Sequence, residues 1–133
     1  PLMDRIDLQV EIMPVPFDEL SSMQPGERSE DIRRRVIEAR HVQTRRFAGE
    51  PGVYCNAQMT PRLQERYCRL DDAGMQVLRM AMNKFNMSAR AYDRILKVAR
   101  TIADLDGAAD IGRHHVQEAV GYRNLDRDTW GLR

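Results

Sequence analysis

The stretch that decides the fold is Ser88–Leu105, which reads SARAYDRILKVARTIADL. Its apolar residues recur three and four positions apart, the spacing of a helix with one face packed on a core. Ser88 is a suitable N-cap because its hydroxyl can accept a backbone N–H of the first turn, and Asp106-Gly107 ends the helix. The predicted buried stripe comprises Tyr92, Ile95, Leu96, Ala99, Ile102 and Ala103.

Four further helices are predicted around this one. The first has Ser29 as its predicted N-cap and runs to about Phe47, with Glu30 and Asp31 suited to the positive helix end. The next two start at Thr60 and Asp71, both suited to capping, and the last starts near Gly112. A short turn or helix precedes all four at 17–22. The predicted inward residues are Ile32, Val36, Ala39 and Phe47, interrupted by polar Gln43; then Met75, Leu78, Met82 and Phe85; and finally Val116, Ala119 and Val120.

A strand with one buried face is predicted ahead of the helices, over Ile6–Ile12, where apolar and polar residues alternate. Pro14 and Pro16 end it because proline lacks the donor that a sheet needs. A single strand is not stable, so its sheet is expected outside this chain. The fold class is therefore mainly α, a helical bundle preceded by one strand, with domains predicted at 1–14, 15–127 and, as a tail, 128–133.

Composition narrows the classes of protein. In 133 residues, 21 basic side chains nearly balance 20 acidic ones, giving a net charge of +1, so the whole surface is not a polyanion binder. No apolar run is long enough for a membrane helix, and no basic-then-apolar stretch indicates a secretory leader, so none is expected. We expect a cytoplasmic protein, and the opening Pro1-Leu2-Met3-Asp4 suggests a piece of a longer chain.

Few residues suggest self-contained chemistry. There is no glycine-rich phosphate loop ending in Gly-Lys-Ser/Thr, no His-Glu-x-x-His and no nucleophile beside a base. Cys55 and Cys68 are expected to be unbonded thiols, although a disulfide is not excluded by their spacing. His114 and His115, expected at the surface of the last helix, do not supply a zinc-binding pattern with His41. No metal site is predicted, and the methionines are expected to fill the core.

Three segments of the sequence resemble those of a known protein family. Residues 1–7, PLMDRID, look like the Gly-Pro-Leu-Leu-Asp-Arg-Ile-Asp segment of magnesium-chelatase-like AAA+ ATPases. Asn56-Ala57-Gln58-Met59 and Ser88–Leu105 resemble the carboxy-terminal domain of the same family, and the likeness leans to its ComM (YifB-like) branch. The resemblance covers Pro1 to about Arg127.

The resemblance implies a lid-type helical domain, with the strand at 1–14 belonging to an upstream ATPase core. It implies ATP and Mg²⁺ as cofactors of the full-length protein, none bound by this chain alone, and a ring, usually a homohexamer. The ComM branch implies DNA remodelling, by helicase or branch-migration activity in natural transformation. The lid of a magnesium chelatase subunit stays an alternative, and ATPase activity is expected only of the longer protein.

Three arginines match functional positions of that family. Arg5 matches the arginine finger, which would act in trans on a neighbour's nucleotide, although it could instead pair with Asp4 or Asp7. Arg90 matches the sensor-2 arginine, although it could be solvated beside Asp93. Arg94, one turn further, would extend the phosphate-facing surface. Asp93–Lys97 and Arg100–Asp104 are expected as ordinary intrahelical ion pairs.

The arginine-rich helix at 29–47 leaves two other classes of function open. A stand-alone DNA-binding module would use Arg33, Arg34 and Arg35 on phosphates, but nearby acidic residues dilute the charge and no aromatic interleaves for base stacking. A solvated or subunit-contacting face is favoured. The other class is an interaction adaptor with no nucleotide role.

Overall fold

The computed structural model describes residues 2–22 and 24–123, so the predicted tail at 128–133 and the boundary at 127 lie outside it. Within those residues the chain is mainly helical. Two single 3₁₀ turns occur, here named the N-terminal turn (Met3–Arg5) and the Asn56 turn (Asn56–Gln58). The helices are α1 Phe17–Ser21, α2 Ser29–Arg46, α3 Pro61–Tyr67, α4 Asp72–Lys84, α5 Ala89–Leu105 and α6 Arg113–Gly121.

Helix α5 is the centre of the fold. It packs against α2, α3, α6 and both 3₁₀ turns, which confirms that the stretch at 88–105 organises the domain. Most of its predicted stripe is buried, but Tyr92 is 37% exposed and Ile102 is only half-buried. Polar Arg100 and Asp104, which were predicted as an ordinary intrahelical ion pair, are both buried.

Side-chain caps start three of the helices as predicted. The Thr60 hydroxyl accepts from the Leu63 amide, the Asp71 carboxylate from Gly74, and the Ser88 hydroxyl from Ala91. The predicted cap at Ser29 is wrong, because α2 is preceded by Arg28 and has no side-chain cap.

The apolar core is built by the later part of the chain. Its buried residues come from the loops and helices between Phe47 and Ala119. Within α2 only Ala39 and Gln43 are buried, while Ile32 and Val36 are each 42% exposed, so the first half of that helix projects from the body. The prediction that these two residues face inward is therefore wrong for the described chain.

No strand forms at 6–12 in the described residues. The predicted apolar face is exposed, from 39% at Ile6 to 88% at Ile12, and polar Gln9 is buried in its place. A strand needs a neighbour to accept its backbone hydrogen bonds, and the described residues offer none. Pairing with a sheet elsewhere stays a prediction.

None of the helices described over 2–22 and 24–123 combines the length and apolar character that crossing a lipid bilayer would require.

Candidate functional site

Arg90 lies at the second residue of α5, where the helix exposes its positive end. Ser88 holds the first turn through a 3.2 Å bond from the Ala91 amide to its hydroxyl oxygen. The Arg90 side chain is exposed and forms no hydrogen bond or ion pair with any described residue, which fits both a nucleotide-sensing arginine and the alternative of a solvated arginine beside Asp93. Its guanidinium is available to an anion.

Arg5 ends the N-terminal turn and is also exposed. Its side chain is not paired with Asp4 or Asp7. The N-terminal turn packs against α5, so the segment that carries Arg5 lies beside the helix that carries Arg90. The fold therefore associates two elements that are 85 residues apart in sequence, a relation that spacing alone does not reveal.

Arg94 is less available than the other two predicted arginines. It forms an ion pair with Asp7, and its side chain is 31% exposed. The predicted Asp93–Lys97 pair is absent from the described structure: Asp93 accepts from the Gln64 amide at 3.1 Å, and the Lys97 amine donates to the Ala57 carbonyl at 3.4 Å. Arg94 thus joins the N-terminal segment to α5.

A cleft of about 720 Å³ opens beside the Arg94–Asp7 ion pair, between α2, α5, α6 and residues 7–8. Its apolar lining comes from the projecting half of α2 and from α5, and includes Ile32, Val36, Val98 and Ile102. Neither Arg5 nor Arg90 lines it. The two exposed arginines therefore belong to a surface, and the cleft is a separate feature.

A buried polar network surrounds Asp104, whose side chain is wholly inaccessible. Arg46 donates to both of its carboxylate oxygens, at 2.7 and 2.8 Å, and Arg100 approaches one of them at 3.1 Å. These hydrogen bonds raise the pKa of Arg46, which stays charged. Arg100 and Asp104 therefore form the predicted intrahelical ion pair. It is not an ordinary one, because burial leaves both groups dependent on each other.

Asn56 completes this network, which gives the first residue of the Asn-Ala-Gln-Met segment a structural role. Its amide nitrogen donates to Asp104 at 2.8 Å and to the Thr101 hydroxyl at 3.1 Å, while its oxygen accepts from Arg46 at 2.9 Å. The Asn56 backbone N–H donates to the side-chain oxygen of Gln43, the residue that interrupted the α2 stripe. The sequence did contain a signal for this network: polar residues occupy helix positions that the apolar spacing assigns to the buried face, as Gln43 does in α2.

A second polar cluster joins Asp106 to His114 and His115. The His115 side chain is 3% exposed, which corrects its predicted surface position, whereas His114 is exposed as predicted. His115 Nδ1 accepts from the Gly112 amide at 2.8 Å, so the neutral ring carries its proton on Nε2, which lies 2.8 Å from the Asp106 carboxylate.

The three potential ligand atoms of that cluster lie within 4.8 Å of one another. A metal would need the lone pair of His115 Nε2, yet that atom carries the proton when Nδ1 accepts from Gly112. The cluster therefore serves as a cap for the start of α6, and the hydrogen bonds from His115 and then His114 lower the pKa of Asp106.

The cysteines are both unbonded, which confirms the preferred expectation. Cys68 is buried, and desolvation raises the pKa of its thiol to about 11. A thiol with so high a pKa is poorly nucleophilic at neutral pH.

The arginine-rich helix α2 is partly neutralised. Arg35 pairs with Glu27, and Arg34 lies 3.4 Å from Asp31. Arg33 and Arg40 are exposed and make no side-chain contact of this kind with the described residues. Two of the three arginines that a DNA-binding module would use are thus already partnered by carboxylates.

The helical fold and its α5-centred network agree with a family assignment from sequence. The model of the family described as "Magnesium chelatase, subunit ChlI C-terminal" matches residues 26–123, which include α2 to α6. The chain belongs to this family and is a lid-type domain of an AAA+ family member.

Individual relatives refine that class. The chain is 41% identical over 128 residues to Competence protein ComM of Haemophilus influenzae, 40% identical to the uncharacterized protein YifB of Salmonella typhimurium, and 38% identical to YifB of Escherichia coli. Each match covers 96% of this chain and 24% of the relative. The chain thus spans about a quarter of the length of these relatives and is a ComM-like carboxy-terminal domain.

Proposed function

We propose that this domain senses nucleotide in a ring-forming AAA+ ATPase, with Arg90 contacting the terminal phosphate of ATP. The observation that supports this most directly is the exposed guanidinium of Arg90 at the start of α5, unpaired within the described chain. An anion there meets both a fixed positive charge and the positive end of a helix dipole.

Arg5 is the proposed arginine finger, acting on the nucleotide of a neighbouring subunit. A guanidinium that reaches the γ-phosphate offsets the charge that develops during phosphoryl transfer. The exposure of Arg5 supports this role because the side chain of an arginine finger must extend across the interface into the neighbouring subunit. Arg94 would contact phosphate only after releasing Asp7, so it is the weaker candidate.

ATP with Mg²⁺ would bind the longer protein at elements upstream of this chain, whose own sequence has no phosphate loop. Closure of the lid on ATP, and its release after hydrolysis, would carry motion into the ring, proposed to be a homohexamer. The chain by itself is expected to have no significant ATPase activity.

The work driven by this motion is proposed to be DNA remodelling in the cytoplasm, of the ComM type. The support is the whole-chain similarity to a relative named for competence. The family name also includes magnesium chelatase, so metal insertion into a porphyrin is the alternative, which assays of the longer protein with each substrate would separate.

ATP turnover by the full-length protein tests the two arginines. Arg5→Ala should lower kcat by roughly 10³-fold, because the finger acts on the chemical step. Arg90→Ala should lower kcat/KM for ATP, and Arg79→Ala is the matched control, an exposed α4 arginine with no partner among the described residues. Unchanged turnover in Arg90→Ala would favour the adaptor and reject the sensing role.

Mixed rings locate each arginine relative to the nucleotide. If Arg5 acts on the neighbour's site and Arg90 on its own subunit's site, random mixing of Arg5→Ala with Arg90→Ala subunits restores about a quarter of the interfaces. If both arginines act on the same nucleotide site, either the subunit's own or the neighbour's, every interface in the mixed ring lacks one of them, and turnover does not recover.

The stand-alone DNA module makes a separate prediction for the chain alone: tight, strongly salt-dependent DNA binding that is lost in the Arg33, Arg34 and Arg35 triple alanine variant. The pairing of Arg34 and Arg35 with carboxylates argues for weak binding.

A further inference from the structure

Arg123 follows α6 and is 1% exposed, which makes it one of the largest fully buried side chains in the described chain. Its guanidinium donates to the backbone carbonyl of Ile6 at 2.8 Å and to that of Met3 at 3.4 Å. A buried charge needs hydrogen-bond partners, and here the N-terminal segment supplies them.

Gln9 adds two bonds at the same place. Its backbone N–H donates to the Tyr122 carbonyl at 2.7 Å, and its side-chain amide donates to the Met3 carbonyl at 3.3 Å. Gln9 is also the single buried residue among those described between 2 and 38. Residues 3–9 are therefore held against the end of α6 by polar contacts.

The two carbonyls that accept from Arg123 belong to Met3, the first residue of the N-terminal turn, and to Ile6, which follows its last residue. The Ile6 N–H closes this turn by donating to the Met3 carbonyl at 3.2 Å, and Asp4 and Arg5 lie between them. The Arg123 guanidinium thus donates hydrogen bonds to the first and last residues of the segment 3–6, which contains Arg5. Because its acceptors are backbone atoms, this contact does not depend on the side chains of residues 3 and 6.

We propose that Arg123 is a positioning residue, which couples the last helix of the lid to the turn that carries Arg5. The inference rests on the proposed finger role of Arg5. Movement of α6 would then move the turn, so the lid that responds to one nucleotide would also set the reach of Arg5 toward the next subunit.

Loss of Arg123 should release the segment without unfolding the domain. The apolar core comprises buried residues between Phe47 and Ala119 and includes neither Arg123 nor residues 2–9. Without Arg123, the segment keeps the bond from the Gln9 N–H to the Tyr122 carbonyl and the partly exposed Asp7–Arg94 ion pair. Exposed ion pairs contribute little, so the segment should open more often.

Hydrogen exchange on the 133-residue chain tests the contact itself. In Arg123→Gln, the amide of Gln9 should exchange at least about tenfold faster, while core amides of α5 keep their rates. Arg113→Gln is the matched control, since Arg113 lies on α6, is exposed and has no side-chain partner among the described residues. Wild-type exchange at Gln9 in the Arg123 variant would overturn the coupling.

Turnover by the full-length protein tests the consequence. Because misplacement of a reacting group by about 1 Å can lower a rate about 100-fold, Arg123→Gln should lower kcat by roughly 10- to 100-fold, with KM for ATP within about twofold of wild type. Arg123→Lys, which retains a charged donor, should recover part of kcat.

Epistasis separates positioning from a general structural role. If Arg123 acts through Arg5, the double variant Arg5→Ala/Arg123→Gln has the same kcat as Arg5→Ala alone, whereas independent damage makes it slower. Wild-type turnover in Arg5→Ala would reject the finger role and leave the exchange result standing. Loss of turnover in Arg5→Ala with normal turnover in Arg123→Gln would reject the positioning role alone.

Discussion

The two ends of α5 use arginine in opposite ways. At the start of the helix, Arg90 is exposed and has no partner within the described chain. About three turns later, Arg100 is 5% exposed, approaches Asp104 and also donates to the carbonyls of Ala108 and Ala109 at 2.9 and 3.0 Å. The first guanidinium is open to a ligand, and the second holds the fold together.

The difference shows that residue type does not determine role in this domain. Three arginines donate their hydrogen bonds to acceptors inside the domain: Arg46, Arg100 and Arg123. Their removal should therefore affect the stability of the domain or the coupling between its parts. The side chains of Arg5 and Arg90 form no hydrogen bond or ion pair with the described residues, so their removal should mainly affect what the domain does to a partner or nucleotide. Measurements of stability can therefore separate the two groups.

The largest expected effect comes from Asp104→Ala. It leaves the buried guanidinium of Arg100 and the largely covered guanidinium of Arg46 without their counter-charge, so the free energy of unfolding should fall by about 3–5 kcal/mol. Urea denaturation measures this change, and Asp110→Ala, at an exposed carboxylate, should stay within about 0.5 kcal/mol of wild type. A loss below about 1 kcal/mol for Asp104→Ala would mean that the buried end of α5 is no more structural than the exposed one.

Asn56→Ala should have the next largest effect. It removes the amide that bridges Asp104, Thr101 and Arg46 while leaving their buried polar atoms in place, so a loss of about 1–3 kcal/mol is expected. Thermal or urea unfolding checks it. Asn83→Ala is the control, because Asn83 is exposed on α4; an equal loss there would remove the special role of the Asn56 turn.

A smaller, pH-dependent effect is expected at Asp106. Its pKa is lowered from 3.8 by hydrogen bonds from His115 and His114. A carboxyl with a lower pKa in the folded state stabilises the fold above its unfolded pKa, and this contribution is lost as pH falls through the folded value. Urea midpoints of wild type and Asp106→Asn should therefore differ at pH 5–7 and converge below about pH 3.8. A constant difference down to pH 2 would contradict this.

The smallest effect is expected for Arg90→Ala, which should change the free energy of unfolding by less than about 0.5 kcal/mol because the side chain is exposed and unpaired. Differential scanning calorimetry of the chain measures it. A loss above about 1 kcal/mol would place Arg90 with the structural arginines and weaken its assignment as a nucleotide sensor.

Much of the fold could be predicted from local pattern. The stripe of α5 and the caps at Thr60, Asp71 and Ser88 depend on neighbours within one or two helical turns. The three caps and most of the stripe appear in the structure. The resemblance that marked Arg5, Arg90 and Arg94 also rests on contiguous residues. Their exposure and pairing were not predictable, because Asp7 and Arg94 meet only after the chain folds.

The sequence by itself determined that this is a helical, lid-type domain, where its principal helices begin, and which arginines to test, because helix periodicity, capping and motif likeness are local properties. The tertiary structure alone decided that Asp104 and Asn56 form a buried network, that His115 caps α6, and that Arg123 grips the turn carrying Arg5. Those roles require partners up to 120 residues away, and only folding brings the desolvated charges and their acceptors together.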